Sequence, residues 1–489
     1  MTITFIGYFH LVVGGFIALR GSLRQAFVFL FLSGLFSGSA ALVLSGGGSS
    51  VPPIYFALLF IYLRILAPRG GFTGDLPDAV RANMWLLLFA AYGVAMSYIG
   101  PRLFAGAINV YPMLLTSRET LFDTLPLVPT PQNVTAAIYL AGTFFLAAGA
   151  WIAARRENGP ATLVTAILWV SWLHISFGIV GVLVRGTPLD SVLDIFRNST
   201  YVQLDDTVGG IVRMRGIFPE ASEFAGFGFG FMVANAELWY RSVRTRATGA
   251  AALAMAIVLF FSTSSTAYAA LAIYVAFFFL RALLLPNLAI GRKVWTVLAV
   301  LAGFGVLFAT VMAVVPDLSA SMIKMIRIMT VDKGASDSAA QRLFWAMQGR
   351  DAFMASHGLG IGPGSFRSSS MFMAIMGSMG VVGIVTFLLY VFTVFQPWRR
   401  SSWSACDDNR TVIGGALGSA AVLSLIPAAM NSANAHPGTT FAILAGAALA
   451  LRPGALRREQ AGSDRAAPVD FDRRSGQQAG WAAGRYTRT

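Results

Sequence analysis

Cysteine, charge and histidine are all scarce in this chain. Its single cysteine, Cys406, excludes a disulfide framework and a cysteine-based metal site. Only 12% of the 489 residues are charged, whereas 56% are hydrophobic. Soluble domains carry about 25% charged residues, so half that density over such a length predicts a polytopic membrane protein. Four histidines, with no HExxH, CxxC or clustered carboxylate pattern, favour chemistry without a metal or other cofactor.

The basic residues are distributed in a way that favours lipid over nucleic acid as a partner. The net charge is +14, but Lys and Arg lie between apolar segments and in the C-terminal stretch. They indicate topology signals and contacts with anionic lipid, and no nucleic-acid partner is expected. Residues 452-489 are rich in Arg, Gly and Ala without apolar periodicity, which predicts a disordered basic cytoplasmic tail. Residues 1-451 are then the transmembrane domain.

Apolar runs recur throughout the predicted transmembrane domain. Since a span needs about 20 apolar residues, the sequence predicts an all-α protein with 12-13 transmembrane helices. They are placed at 3-19, 26-45, 52-67, 83-100, 134-153, 161-184, 218-240, 247-261, 265-284, 293-315, 373-395, 411-430 and 437-451. The first segment has neither a basic n-region nor a cleavage site before further spans follow, so we expect a retained helix.

Lys and Arg alternate between successive loops. The short loops 46-50, 262-266 and 431-436 contain none, whereas loops such as 20-24 and 241-246 are basic. Because cytoplasmic loops retain positive charge, the N-terminus is predicted outside and the C-terminus inside. The three longer loops are then also outside: 101-133, 185-217 and 316-372.

Two arginines and two carboxylates lie where the second long outer loop meets the next span. Arg213 and Arg215 precede the helix start, and Glu220 and Glu223 are neighbours on one helical face. Charge at such a boundary is costly unless it is paired or used, so the stretch is a candidate functional site. The arginines would hold an anion while a carboxylate accepts a proton or orients a hydroxyl. The alternative is an Arg-Glu pair that only fixes the loop.

The loop 316-372 ends in a glycine run. A helix beginning at Ser336 or Asp337 carries Arg342, and His357 stands at the head of the run, where it could act as acid or base. The run contains four glycines in seven residues and continues to Arg367, through Gly358, Gly360, Gly362, Gly364 and Ser365. Such glycines let a ligand approach the backbone and leave amides for an anion. The alternative is a tight turn re-entering the membrane. A nucleotide P-loop is excluded because the Lys-Ser/Thr ending is missing.

The two loops together predict a site for a phosphorylated lipid. The planar fork of arginine binds phosphate oxygens bidentately and keeps its charge. The residues predicted to bind a diphosphate are Arg213, Arg215, Arg342, Arg367, Gly360, Gly362, Gly364 and Ser365. The substrate expected from this geometry is anchored in the membrane by its lipid and presents its diphosphate at the outer surface.

At these loops, over residues 200-395, the sequence resembles the superfamily of O-antigen polymerases (Wzy-like) and O-antigen ligases (WaaL-like). The first motif, an arginine before a glycine followed by an acidic and a hydroxyl residue that open a span, is matched by Arg213, Gly216, Glu220 and Ser222. The second, an Arg-initiated helix leading to a glycine turn and a Gly-rich span, is matched by Arg342, Gly360, Gly362, Gly364, Ser365, Phe366, Gly380 and Gly383.

The resemblance implies a GT-C-like membrane glycosyltransferase that needs neither metal nor nucleotide. Its implied substrate is an undecaprenyl-diphosphate-linked glycan on the periplasmic face of the bacterial inner membrane, with membrane lipid and a chain-length regulator as partners. Ligases of the superfamily usually have a His-Asn pair after the glycine turn, where this chain has Arg367-Ser-Ser-Ser370. The difference favours a polymerase of O-antigen or exopolysaccharide repeat units. It leaves the base open between Glu220, Glu223 and His357.

Two other functions are compatible with the hydropathy plan. A ligase would move finished glycan to a lipid or protein acceptor. A transporter or flippase of lipid-linked sugars would require charged residues near the middle of the spans. Apart from Arg64, the predicted spans contain almost none, and the polar residues are concentrated at one face. This distribution favours chemistry at a surface over passage through the membrane.

Overall fold

The computed structural model describes residues 2–44, 49–67, 72–113, 122–198, 207–208, 211–329 and 337–452, and these ranges are mostly helical. The predicted tail 452-489 therefore lies, apart from Arg452, outside the described residues. The helices are α1 Phe5–Arg20, α2 Leu23–Ser33, α3 Pro53–Leu66, α4 Leu76–Ala82, α5 Met84–Leu103, α6 Pro131–Arg155, α7 Gly159–Leu183, α8 Asp190–Asp194, α9 Ala221–Tyr240, α10 Thr245–Phe261, α11 Ser265–Leu284, α12 Gly291–Val314, α13 Pro316–Met329, α14 Asp337–Ala355, α15 Met371–Phe395, α16 Asn409–Leu423, α17 Leu425–Asn431 and α18 Thr439–Ala450.

Short strands between the helices form one three-stranded and two two-stranded antiparallel sheets. The strands are β1 Thr2–Ile3, β2 Leu42–Leu44, β3 Ser49–Val51, β4 Asn109–Val110, β5 Leu125–Pro126, β6 Thr207–Val208 and β7 Ile211–Val212. The first three make one sheet in the order β1-β2-β3, with Thr2 opposite Val43 and Leu42 opposite Val51. Strand β4 pairs with β5, and β6 with β7.

Seven helices of the described chain are long and apolar enough to cross a membrane, judged by length and composition. They are α5, α6, α7, α11, α12, α15 and the α16–α17 pair. Shorter apolar helices of 10–17 residues correspond to the predicted spans in α1, α2, α3, α10 and α18. Helix α9 has 20 residues and carries acidic side chains in its first and last turns. The prediction of an all-α polytopic membrane protein is thereby confirmed in its general form.

The predicted span 26-45 is wrong in its second half. Helix α2 ends at Ser33, a 3-10 turn follows at Gly34–Phe36, and Leu42–Leu44 is a strand. A side chain at Gly38 would overlap Pro219, so the chain must turn where the loop before α9 approaches it. The segment that approaches here is about 180 residues away in sequence, so no local signal indicated the turn. The apolar run Ala40 to Leu44 therefore resembled the continuation of a helix.

Helix α9 lies at the centre of the bundle and packs against α7, α10, α11 and α16. The C-terminal half of α9 contains an ion-paired cluster that was not predicted from the sequence. Arg241 pairs with Glu237, and Arg281 donates to both oxygens of the same carboxylate at 3.1 and 2.8 Å. Tyr274 adds a hydrogen bond of 3.1 Å. Arg281 therefore fixes α11 to α9, because a buried charge requires such partners.

One end of the bundle gathers the starts of α6, α9 and α15 with the segment between α17 and α18. Three hydrogen bonds define this upper end: Asn133 Nδ2 to the Pro363 carbonyl (2.8 Å), the Ser368 N–H to the Ala433 carbonyl (3.3 Å), and Asn431 Nδ2 to the Glu220 carboxylate (3.2 Å). The predicted alternation of loops requires these segments to meet at one face. The side of the membrane that the upper end faces stays a prediction.

Helix α14 packs against α15, and the glycine run that follows it contacts both α15 and α5. Gly358 accepts a hydrogen bond from the Val381 N–H at 2.9 Å, and the Tyr92 hydroxyl donates to the Leu359 carbonyl at 2.8 Å. Gly380 lies nine residues into α15, so the tip of the insertion is about 14 Å below the helix start. The second half of the predicted outer loop 316-372 is therefore a re-entrant segment.

Replacing Gly380 with alanine should destabilise this insertion. Gly380 has φ 57° and ψ −149°, a conformation open essentially to glycine, and an added Cβ would overlap the Gly358 carbonyl. We expect G380A to lower the free energy of unfolding by about 3 kcal/mol or more. The measurement is the midpoint of thermal unfolding of the purified protein in detergent.

The matched control is Gly303→Ala on α12, where an added Cβ meets open space. We expect G303A to unfold at the wild-type temperature. Equal behaviour of the two variants would contradict the described path of the glycine run.

Candidate functional site

Glu220 stands at the N-cap of α9 and is held by hydrogen bonds at the upper end. Its Oε1 accepts from the Ser222 hydroxyl and from Asn431 Nδ2, the latter at 3.2 Å. Asn431 also donates to Ser222 Oγ at 2.6 Å. Ser222 and Asn431 therefore fix the Glu220 carboxylate between α9 and the end of α17. Asn431 was not among the predicted site residues, since it is about 210 positions away in sequence.

Glu223 occupies the first turn of α9, one residue beyond Ser222. No described residue forms a hydrogen bond with its carboxylate, and its side chain is exposed. Surrounding protein atoms nevertheless partly desolvate the group. The negative charge of Glu220 and the positive charge of Arg367 both act on it. A carboxylate with free oxygens beside a fixed arginine is suited to accepting a proton from a bound hydroxyl.

Arg367 connects the glycine turn to this carboxylate. Its N–H donates to the Tyr111 carbonyl at 3.0 Å, which fixes the turn against the segment after α5. Its guanidinium lies 4.6 Å from the centre of the Trp345 ring on α14. Cation–π stacking holds the planar fork in one orientation while its charge reaches Glu223. The two outer segments predicted from sequence therefore converge, with Arg367 as the arginine that acts on Glu223.

The other predicted arginines lie at the same end of the bundle. Arg213 acts electrostatically on Tyr268, in the first turn of α11. Arg215 Nη1 donates to the Pro219 carbonyl at 3.4 Å. Arg342 is tied to the turn through its backbone, because the Ser369 hydroxyl donates to its carbonyl at 2.5 Å. These contacts place Arg213, Arg215 and Arg342 around the upper end.

The backbone N–H groups of the glycine run donate hydrogen bonds to acceptors within the protein. The Gly360 N–H donates to Ser356 Oγ at 2.8 Å, and the Gly362 N–H donates to the Ser378 carbonyl at 3.0 Å. Both glycines have positive φ, and added Cβ atoms would overlap the backbone of α15 or α5. Close helix packing, rather than anion binding, accounts for glycine at these positions.

The end of the run, Gly364 and Ser365, packs against α6. A Cβ on Gly364, whose φ is also positive, would overlap the Gln132 carbonyl. Ser365 Oγ donates to the Ile361 carbonyl and accepts from Asn133 Nδ2, both at 3.0 Å. These two residues therefore hold the turn that presents Arg367.

The structure separates His357 from the two glutamates. His357 precedes Gly358 at the deep tip of the re-entrant segment, opposite Gly380 of α15. Glu220 and Glu223 belong to the start of α9 at the upper end. Of the three candidate bases, the two carboxylates share one place in the fold, and the identity of the base stays a prediction.

Arg197 fixes the loop that leads into α9, and sequence reasoning did not find it. Its Nε and Nη2 donate to the Gly216 carbonyl at 3.0 and 2.6 Å. Its Nη1 pairs with Asp190 at 3.2 Å and with Asp194 at 3.3 Å. Gly216 has φ 55°, so it allows the loop to turn while the buried guanidinium holds its carbonyl. Arg197 therefore positions Arg213, Arg215 and Glu220.

Replacing Arg197 with lysine tests this positioning. Lysine can pair with Asp190 and Asp194 but cannot present the two-pronged fork to the Gly216 carbonyl. We expect the free energy of unfolding to fall by about 2 kcal/mol and the loop before α9 to become accessible to limited proteolysis. The control is R81K, because Arg81 pairs with Asp78 on an exposed surface at 3.4 Å. Wild-type protease resistance of R197K would show that the fork is dispensable.

The segment between α17 and α18 supplies a further wall. His436 contacts the Tyr139 ring edge-on, with centroids 5.3 Å apart. The charge of Glu223 in turn acts electrostatically on Tyr139. The sequence signal for this segment was its run of small and polar residues without Lys or Arg, which predicted an outer loop with His436 as a lesser functional candidate.

The described residues contain no group of three or more His, Cys, Asp or Glu side chains placed to hold a metal ion. Comparison of the chain with models of protein families and with curated proteins finds no match. The chemistry of the upper end therefore has to be inferred from its residues.

Proposed function

We propose that the chain is a polymerase of O-antigen or exopolysaccharide repeat units with a GT-C-like architecture. It would act on undecaprenyl-diphosphate-linked glycan at the periplasmic face of a bacterial inner membrane, with a periplasmic N-terminus and a cytoplasmic C-terminus. The observation that carries the proposal is the Glu223 carboxylate. It has no hydrogen-bond partner among the described residues and lies within electrostatic reach of Arg367.

The proposed reaction is a single displacement. A hydroxyl oxygen of the acceptor glycan attacks the anomeric carbon of the donor, and the bond from that carbon to the diphosphate oxygen breaks. The lipid diphosphate leaves with the electron pair, while the hydroxyl proton passes to Glu223. Configuration at the anomeric carbon inverts. Arg367 acts on Glu223 through charge rather than through a hydrogen bond, which is consistent with a sugar lying between them.

The guanidinium of Arg367 stabilises the negative charge that grows on the diphosphate. Arg213, Arg215 and Arg342 extend positive charge along the same end and would hold the rest of the donor headgroup. Glu220 contributes through its charge on Glu223 and its bonds to Ser222 and Asn431. Gly360, Gly362 and His357 are given no chemical role, because their contacts serve the re-entrant segment. A chain-length regulator is the proposed protein partner.

Analysis of glycan length in cells lacking the gene tests polymerase against ligase. Loss of a polymerase leaves single repeat units on lipid, and we expect this outcome. Long lipid-linked polymer would instead show a ligase that transfers finished glycan to a lipid or protein acceptor. Lipid-linked repeat units that are retained at the cytoplasmic face, with neither repeat units nor polymer at the periplasmic face, would indicate a transporter or flippase.

A further inference from the structure

Residues 432–438, between α17 and α18, lie between the two halves of the candidate site. Ser368 of the glycine turn donates its N–H to the Ala433 carbonyl. Asn431, immediately before this segment, holds Glu220 and Ser222. Residues 432–438, which we call the upper loop, are therefore fixed to both the turn that carries Arg367 and the start of α9.

The tautomer and the charge state of His436, in the upper loop, are both defined by its surroundings. The Gly438 N–H donates to His436 Nδ1 at 3.2 Å, so Nδ1 is an acceptor and the ring hydrogen is on Nε2. Gly438 has φ 89°, which allows its N–H to turn back to the ring. Desolvation lowers the pKa of His436 to about 4, so the imidazole is neutral near pH 7. No described residue accepts a hydrogen bond from Nε2.

Tyr139 provides a rigid aromatic surface beside His436. Its ring stacks on Tyr55 with centroids 5.4 Å apart and an interplanar angle of 4°. Its hydroxyl donates to the Ser50 carbonyl at 2.7 Å. Both contacts immobilise the ring on which His436 packs edge-on. Asn431, five residues before His436, is bonded to Ser222 next to Glu223, and Glu223 also acts on Tyr139 through its charge. The carboxylate and the imidazole therefore belong to one neighbourhood.

This neighbourhood has the composition of a sugar site and not of an anion site. Glu223 offers a hydrogen-bond acceptor and His436 a neutral donor, which together match hydroxyls that both donate and accept. A diphosphate would find no positive charge on Glu223, Tyr139 or the neutral imidazole. The proposed anion-binding group is Arg367 of the glycine turn, which lies against Trp345. The two parts of a lipid-linked glycan thus have separate complementary surfaces.

We propose that the surface formed at the upper end by Glu223, Tyr139 and His436 is the subsite for the acceptor sugar, in which Glu223 accepts and His436 Nε2 donates a hydrogen bond to hydroxyls of the same ring. The subsite rests on the proposed polymerase function, but it predicts binding of free saccharide independently of transfer. His436 is a positioning residue in this scheme: it fixes the ring so that the attacking hydroxyl faces Glu223.

The test uses the full chain purified in detergent, with variants H436A and H436Q. The probe is the lipid-free oligosaccharide repeat unit, and its affinity is measured by calorimetry. We expect H436A to weaken saccharide binding by about tenfold, as loss of one neutral hydrogen bond does. Glutamine restores an N–H donor, so H436Q should recover most of the affinity. Binding of a short prenyl diphosphate should be unchanged in both variants.

Three outcomes would overturn the subsite. They are weakened diphosphate binding with normal saccharide binding, equal loss in H436Q and H436A, and wild-type saccharide affinity in H436A. The thermal midpoint of each variant separates misfolding from lost binding, and H436Q keeps the proposal testable if H436A unfolds. Failure of the polymerase function alone would appear differently: wild-type protein would bind saccharide with the predicted His436 dependence and yet transfer none.

Discussion

Replacing Glu223 with glutamine should lower the rate of glycan transfer by at least about 100-fold. Glutamine has nearly the same shape and can still accept a hydrogen bond through its carbonyl, but it cannot take the proton of the attacking hydroxyl. Because no described residue bonds to the Glu223 carboxylate, the substitution breaks no structural contact. The measurement is the initial rate of polymer formation by purified protein, with thermal midpoint as the folding check.

Two glutamate variants serve as comparisons for E223Q. Glu157 is an exposed residue between α6 and α7, at the opposite end of the bundle, and E157Q should retain the wild-type rate. Glu220 is occupied by Ser222 and Asn431, so E220Q should reduce the rate less than E223Q does. A wild-type rate in E223Q together with a large loss in E220Q would transfer the role of base to Glu220.

Replacing Arg367 with alanine should also lower the rate by about 100-fold or more, the usual effect of removing one group that stabilises developing charge. In this case the apparent affinity for the lipid-diphosphate donor should fall as well, because the fork binds both the ground state and the leaving group. Lysine keeps the charge but neither the fork nor the stacking on Trp345, so R367K should be intermediate.

The matched control for R367A is R102A. Arg102 also stacks on an aromatic ring, with its guanidinium 3.7 Å from the centre of Tyr98, but it is exposed on the last turn of α5. We expect R102A to retain wild-type rate and donor affinity. Equal losses in R102A and R367A would show that general positive charge at the upper end, and not the placement of Arg367, supports transfer.

Much of the helical architecture was predictable from hydropathy and charge. Helices such as α6, α7 and α15 are long apolar runs, and their ends match the predicted spans within a few residues. The span predicted from 218 begins as a helix at Ala221, with Glu220 as its N-cap and Pro219 just before it. These features depend on residues close together in sequence, which a reading along the chain can detect.

The parts that sequence reasoning missed depend on contacts between distant segments. The glycine run was predicted to let a ligand approach its backbone, with a tight re-entering turn as the alternative. The groups that approach it are instead backbone atoms of α15 and α5, and nothing in the run itself indicates these partners. Asn431 and His436 reach the site only because the upper loop packs on the glycine turn. Arg367 was one of four candidate arginines, and only the fold distinguishes it as the one acting on Glu223.

The most direct measurement is elongation by the purified wild-type chain in detergent, supplied only with lipid-diphosphate-linked repeat units. There is no compartment to cross in detergent, so transport alone produces no new glycan. Glu223 and Arg367 at one site predict a ladder of lipid-linked polymer that is lost in E223Q and R367A and retained in E157Q and R102A. Absence of any ladder from folded wild-type protein, or an undiminished ladder in both E223Q and R367A, would contradict this function.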